Sequence, residues 1–223
     1  MTFIISDACV NFRNLEEAKQ IIRKCAEAGV DAVKFQAYKK GHPAPGHPRA
    51  AEIDAIVMTP DLARELFESC NEYGIEFMCT PMYPECINWL SPLVSRWKVR
   101  FADRNNIDII KPVVMTRKEM IVSRDRPFPH PDAIRIKSAC LYCVPEYPPK
   151  DLPKGINFSL YDGFSSHYPN WQVPAAITKV YPLLEYLEVH VMLDEYEGGW
   201  DPIDRAVSLN ITDLKKLVRE VKG

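Results

Sequence analysis

Two stretches decide the reading of this chain. The first is Asn157-Phe158-Ser159-Leu160-Tyr161-Asp162-Gly163-Phe164-Ser165-Ser166-His167, and the second is Leu187-Glu188-Val189-His190-Val191-Met192-Leu193. Both read as strands, 157–166 and 186–193, and each delivers one histidine near its end. Between them, 171–181 carries a helical pattern. Strand, helix, strand is a βαβ unit, so the two strands are expected to be parallel with their carboxyl ends side by side. Side chains two apart on a strand share a face, so Ser165 points with His167, and Glu188 with His190. Imidazole nitrogen suits a divalent transition metal, and Glu188 and Ser165 stand where they would orient the ligands. The competing reading is two unrelated histidines, one in a core and one in a loop.

Outward from this unit, the same alternation recurs. Residues 3–10 form a short apolar run, read as strand one, and Asn14 with Glu17 three residues on marks the start of a helix stopped by Gly29. Strand two, 31–38, places Lys34 and Gln36 on one face. A lysine in an apolar strand is either a snorkelling edge residue or an anion ligand at the strand's end. A proline-rich loop over 39–57 follows, of a length often linked to function. Thr59-Pro60 then opens a helix that ends at Gly74. Strand three, 76–82, ends in Cys79-Thr80-Pro81, and a brief helix is expected over 84–90. Strand four, 95–103, carries Lys98, Arg100 and Asp103; strand five is read at 109–116 and strand six at 133–144. Leu214, Leu217, Val218 and Val221 give a final helix.

The class is therefore α/β, and eight strands with mostly helical crossovers suggest a compact (β/α)8 TIM barrel. Its fourth, fifth and sixth helices are expected to be shortened or missing, since 223 residues lie near the floor for this fold. A doubly wound sheet would show a glycine-rich loop after an early strand, and Asp7-Ala8-Cys9-Val10-Asn11 has none. Barrel chemistry gathers at strand carboxyl ends, where Asp7, Lys34, Thr80, Lys98, Asp103, Ser165, His167, Glu188 and His190 all fall.

Composition bounds the setting. Hydrophobic residues are 47% and charged residues 26%, as in an ordinary globular domain, and the net charge of −2 gives no basic footprint for nucleic acid or an anionic membrane. No apolar run approaches spanning length, and Met1-Thr2-Phe3-Ile4-Ile5-Ser6-Asp7 turns acidic too soon for a signal peptide. The seven cysteines are odd in number and fall mostly inside expected elements, which favours buried thiols in a reducing, cytoplasmic setting. Cys140 and Cys143 match CxxC, but on a strand they face opposite ways, and no second pair accompanies them. His42, His47 and His130 fall in proline-rich loops and are assigned no chemistry.

With these positions assembled, the sequence resembles the sialic acid synthase family, the N-acetylneuraminate synthases. Residues 3–11 look like the family's opening strand, Ala-Glu-Ile-Gly followed by an apolar residue and Asn-His. Ala28-Gly29-Val30-Asp31-Ala32-Val33-Lys34-Phe35-Gln36 and Gly74-Ile75-Glu76-Phe77-Met78-Cys79-Thr80-Pro81 are close to the family form. Cys143-Val144-Pro145-Glu146-Tyr147-Pro148 resembles its Cys-x-x-x-Tyr-Pro, Gly163-Phe164-Ser165-Ser166-His167 its Ser-Asp-His, and Leu187–Asp194 its Glu-x-His-Phe-Thr-Leu-Asp. The resemblance implies an enzyme, a transferase that forms a carbon–carbon bond. It would condense phosphoenolpyruvate with an N-acylmannosamine-like sugar aldehyde to a nonulosonic acid, releasing phosphate. It further implies that His167 and His190 hold a divalent ion, Mn²⁺ first, with Mg²⁺ or Co²⁺ as alternatives. Lys34, Gln36, Thr80, Lys98, Tyr147 and Ser165 would bind the substrates, while Asp7, Asp103 and Glu188 would be the catalytic carboxylates. A homodimer, or a partnership with a synthase subunit, is expected.

The sequence also departs from the family. Asp7 and Asp103 stand where it has glutamates, Phe101 where it has a serine, Arg100 and Ala102 where it has glycines, Pro145 where it has asparagine, and Ser166 where it has aspartate. Met115-Thr116-Arg117-Lys118 replaces its Ser-Thr-Gly-Met. The expected organisation is one TIM-barrel domain over 1–223, with the family's C-terminal antifreeze-like domain absent. Two alternatives follow from the altered shell: a non-catalytic, regulatory barrel that binds a partner, and another metal-dependent sugar aldolase or isomerase.

Overall fold

The computed structural model describes residues 1–43, 46–127, 136–151 and 155–223. Eight parallel strands make the frame: β1 (Phe3–Cys9), β2 (Ala32–Ala37), β3 (Glu76–Pro81), β4 (Arg96–Val99), β5 (Glu119–Arg124), β6 (Ser138–Cys143), β7 (Gly163–Ser166) and β8 (Tyr186–Met192). Their order is β3-β2-β1-β8-β7-β6-β5-β4, and a short ninth strand, β9 (Ser208–Asn210), adds to β8. β3 and β4 lie against each other but share no ladder among the described residues, so the barrel is nearly closed. The α/β expectation of a compact TIM barrel holds.

The helices are α1 (Leu15–Ala28), α2 (Ala50–Ala55), α3 (Pro60–Glu72), α4 (Cys86–Leu90), α5 (Ile107–Met115), α6 (Gln172–Val180) and α7 (Ile211–Lys222). The sequence signals that start them are visible as bonds. The Asn14 side chain accepts from the Glu17 amide at 3.0 Å, and Gly29 closes α1 at φ +86°, a conformation that suits glycine. Thr59 Oγ1 accepts from the Leu62 amide at 3.1 Å, with Pro60 opening the first turn of α3. Thr59→Ala removes that acceptor, and the expected loss is about 1 kcal/mol of unfolding free energy in urea titrations.

Two expectations need correction. The run 109–116 is not strand five: residues 107–115 form α5, capped by Asn106, whose side chain accepts from the Asp108 amide at 3.1 Å. Ile109 and Val113, four apart, bury one face, while Ile107 and Met115 are exposed. The true β5 follows it, with Met120, Ile121 and Val122 buried between charged flanks. The helix after β4, expected to be shortened or missing, is therefore present with nine residues. Among the described residues no α-helix separates β5 from β6, and only a 3-10 turn, Phe158–Leu160, stands between β6 and β7. The other correction shortens strands: β4 ends at Val99, with 101–103 in a 3-10 turn, and β7 begins at Gly163. Expected strand six overlaps residues 128–135, which lie outside the described residues, as does His130.

The core has two layers. One fills the space between strands and helices. The other plugs the barrel's lower half with Ile5, Ala32, Met78, Ile121, Ala139, Leu141 and Tyr186. Two residues further along the same faces the side chains become polar: Asp7 after Ile5, Lys34 after Ala32, Thr80 after Met78, Ser123 after Ile121, Cys143 after Leu141 and Glu188 after Tyr186. The apolar plug is the floor of the site. No helix among the described residues is long and apolar enough to cross a membrane.

Candidate active site

Above the plug, at the strands' carboxyl ends, lies a cavity of about 390 Å³. Its deepest wall is an alternating ion array. Lys34 Nζ lies 2.5 Å from Asp7 Oδ2, 3.2 Å from Thr80 Oγ1 and 3.9 Å from Glu188 Oε2. Lys98 Nζ is 3.1 Å from Glu188 Oε1 and donates to Ser123 Oγ at 2.7 Å. Ser165 donates to Glu188 Oε1 at 2.9 Å. All four charged residues are at most 3% exposed. Such charges persist in a low-dielectric site only because each faces an opposite one.

The charge states follow. Burial alone would lower Lys34, but Asp7 and Glu188 outweigh it and raise its pKa, so the ammonium persists. Burial alone would raise Glu188, but Lys98, Lys34 and the Ser165 hydroxyl hold it down at about 2, below the ordinary 4.5. A depressed carboxylate stabilises the fold above its unfolded pKa and loses that contribution as pH falls. Between about pH 5 and pH 2 the urea midpoint of the wild type should therefore drop more steeply than that of Glu188→Gln, the difference isolating this group.

A second cluster stands beside the array. His190 Nε2 is 3.6 Å from Asp7 Oδ2, and its Nδ1 is 4.0 Å from Asp204 Oδ2. His190 Nδ1 is buried without a hydrogen-bond partner. The His167 and His190 rings meet edge-on at 5.1 Å, and the Tyr147 ring packs on His167 at 4.8 Å. Burial, aided by His190, pushes His167 down to about 3, so its imidazole is neutral near pH 7. Ligand atoms of Cys9, His190 and Asp204 all lie within 4.8 Å of one another. A neutral imidazole beside an orphaned buried ring nitrogen and an anionic neighbour fits a divalent ion.

Of the residues singled out in the sequence, Asp7, Lys34, Gln36, Lys98, Tyr147, Ser165, His167, Glu188 and His190 line this cavity. Thr80 sits behind Lys34, bonded to its ammonium. Asp103 is not brought to the wall: because β4 stops at Val99, the chain turns, and its carboxylate accepts from Arg100 Nε and from Asn106 Nδ2. Sequence reasoning missed Cys9, Arg100, Ser123, Cys143 and Asp204, all on the wall. Ser123 is hidden when strand five is placed at 109–116; as the residue two after Ile121 it follows from the true register. Asp204 lies in an irregular segment after β8 and is positioned by Asn11, whose Oδ1 accepts from the Asp204 amide at 2.9 Å. The CxxC cysteines diverge as expected, Cys143 toward the cavity and Cys140 toward the Arg126 carbonyl oxygen at 3.8 Å.

Comparison with known proteins bears on this arrangement. The sequence profile of the NeuB family matches residues 21–125. The N,N'-diacetyllegionaminic acid synthase of Legionella pneumophila is 23% identical, over 99% of this chain and 71% of that protein. The human N-acetylneuraminate-9-phosphate synthase is also 23% identical, over 99% of this chain and 69% of its own length. A crystal structure of the N-acetylneuraminic acid synthetase from Leptospira borgpetersenii superposes with a TM-score of 0.84 at 24% identity, covering 99% of this chain and 82% of that one. The chain is a divergent NeuB-like barrel. In this NeuB-like barrel the family profile spans β2, β3, β4 and β5, the strands that carry Lys34, Thr80, Lys98 and Ser123. The histidines on and after β7 and β8 lie beyond the profile, within the full-length alignments.

Proposed function

We propose that this barrel condenses phosphoenolpyruvate with a sugar aldehyde, N-acylmannosamine-like, to give a nonulosonic acid and inorganic phosphate. The observation that carries the reading is the pair of buried lysines, each held against a carboxylate, on the deepest wall of a cavity that also holds two histidines. A small ligand bearing both phosphate and carboxylate would meet Lys34, Lys98 and Ser165 as donors, with Thr80 bracing the Lys34 ammonium from behind. Arriving anions would take over the lysines from Asp7 and Glu188. Those carboxylates would then face the carbon where positive charge develops as the enol carbon attacks the aldehyde. Water adds at that carbon, the C–O bond to phosphate breaks, and the aldehyde oxygen is protonated. A divalent ion held by His167 and His190, Mn²⁺ as first candidate, would supply Lewis-acid polarisation of the aldehyde oxygen. Arg100 and Phe101, where the sialic acid synthases carry glycine and serine, reshape the acceptor side of the cavity.

The test is phosphate release from phosphoenolpyruvate with Mn²⁺ and a panel of aldoses. Release that requires both substrates is expected. Calorimetry should show Mn²⁺ binding that His167→Ala with His190→Ala abolishes. Silence across the panel, with neither ligand binding, would overturn the reading and favour a regulatory barrel. In this reading the protein works in the cytoplasm as a homodimer or beside a synthase subunit. Val180 and Leu183, 69% and 91% exposed at the end of α6, supply apolar surface for such contact. Sedimentation as a monomer at micromolar concentration would refute it.

A further inference from the structure

Cys9 occupies an unusual position. The register between β1 and β2 slips between Asp7 and Cys9, and Cys9 adopts φ +48°. Positive φ favours glycine, which the sialic acid synthases place at this point of their opening strand, and a side chain there is strained. The bulge turns the Cys9 thiol into the cavity, beside His190 and Asp204.

We propose that Cys9, His190 and Asp204 form the core of a thiolate-containing metal site, with His167 alongside. The histidine pair alone makes Mn²⁺ the first candidate; a Cys9 thiolate beside it would shift the preference toward Zn²⁺, Co²⁺ or Fe²⁺. The assignment deepens the proposed function and rests on it only for the ion's task at an aldehyde. Every donor is already oriented. His190 Nδ1, buried and without a partner, points toward Asp204 Oδ2, while its Nε2 faces Asp7. A carboxylate behind the distal nitrogen, here Asp7 at 3.6 Å, would favour the tautomer that leaves Nδ1 free for the ion. Tyr147 donates to Asp204 Oδ1 at 2.9 Å, and the Cys9 thiol also hydrogen-bonds the Asp204 carboxylate, a proton that a bound ion would displace. Asn11 holds the Asp204 amide, and Asp7 Oδ1 accepts from the Cys9 amide at 3.0 Å. Two anionic donors balance a divalent charge, and a soft thiolate shifts selectivity away from hard ions.

The test is Co²⁺ titration of the full chain, followed by absorption without substrate. A near-ultraviolet thiolate-to-cobalt band is expected, lost in Cys9→Ser and in Cys9→Gly, and kept in Cys143→Ser. The glycine variant relieves the backbone, and a urea midpoint matching the wild type shows that its loss of the band reports the missing thiol. Asp204→Asn should weaken Co²⁺ at least about tenfold. Binding without the band, a band that survives both Cys9 variants, one lost only in Cys143→Ser, or unchanged affinity in Asp204→Asn would overturn the assignment. Each of those results leaves the phosphate-release assay standing. A Cys9-dependent band without phosphate release on any aldose would keep the metal site and sink the synthase reading.

Discussion

Lys34→Met is expected to weaken phosphoenolpyruvate binding by at least about a hundredfold and to lower the unfolding free energy by about 3–5 kcal/mol. The two effects have one origin. Lys34 is 2% exposed and lies 2.5 Å from Asp7 and 3.9 Å from Glu188, so its removal leaves Asp7 buried without its ammonium partner and Glu188 with Lys98 alone. Breaking a buried pair by deleting one partner exposes the full desolvation cost of the other. Methionine keeps most of the volume, which separates the charge effect from a cavity. The ligand loses about two charge-assisted contacts, each worth about 1.5–3 kcal/mol. Calorimetry with phosphoenolpyruvate and urea titration of the same variant measure both. A stable variant with unchanged binding would show that neither carboxylate depends on Lys34.

Gly163→Ala should destabilise the fold by at least about 3 kcal/mol, the upper end of what overpacking usually costs. The reason is local and strict. A Cβ on Gly163 would stand 2.3 Å from the Tyr186 carbonyl oxygen and 2.8 Å from its Cβ. These are atoms of β8, the strand that pairs with β7 in register Gly163 with Tyr186. A backbone carbonyl in a ladder cannot swing aside as a flexible side chain would. The two strands would have to separate where Ser165 meets Glu188, so the site should suffer with the fold. Thermal unfolding or urea midpoints will show it, and a loss under about 1 kcal/mol would mean the β7–β8 ladder yields far more easily than its geometry implies.

Much of this architecture is legible in the sequence, for identifiable reasons. β1, β2, β3 and β8 are apolar runs broken by few polar residues, so Asp7, Lys34, Thr80, Glu188 and His190 stand out against their neighbours. The capping residues Asn14 and Thr59 place α1 and α3 because their bonds are local. The failure at 109–116 has the opposite cause. Ile107-Asp108-Ile109-Ile110-Lys111-Pro112-Val113-Val114-Met115 is apolar at most positions, so neither a period of two nor one of 3.6 stands out, and β-branched residues favour the strand reading. The Asn106 cap, and burial with Ile109 and Val113 inside and Met115 out, show the helix. That one error displaces β5 and hides Ser123. Asp204 is invisible for another reason. Its place depends on a bond to Asn11 across 193 positions of sequence, and no local pattern encodes that.

The strand order has a consequence for how the protein comes into being. β1 lies between β2 and β8, and Asn11 bonds the Val191 carbonyl oxygen, Ser208 and the Asp204 amide. A chain leaving the ribosome therefore holds its first strand with one edge unpaired until residues 186–210 have emerged. Asp7, Cys9 and Lys34 are made early and must wait for Glu188, His190 and Asp204. During that interval the array's charges remain hydrated, and no ion-binding pocket exists. Translation speed through the last strands, and any chaperone that shields the waiting edge, would then set how many nascent chains reach an assembled site.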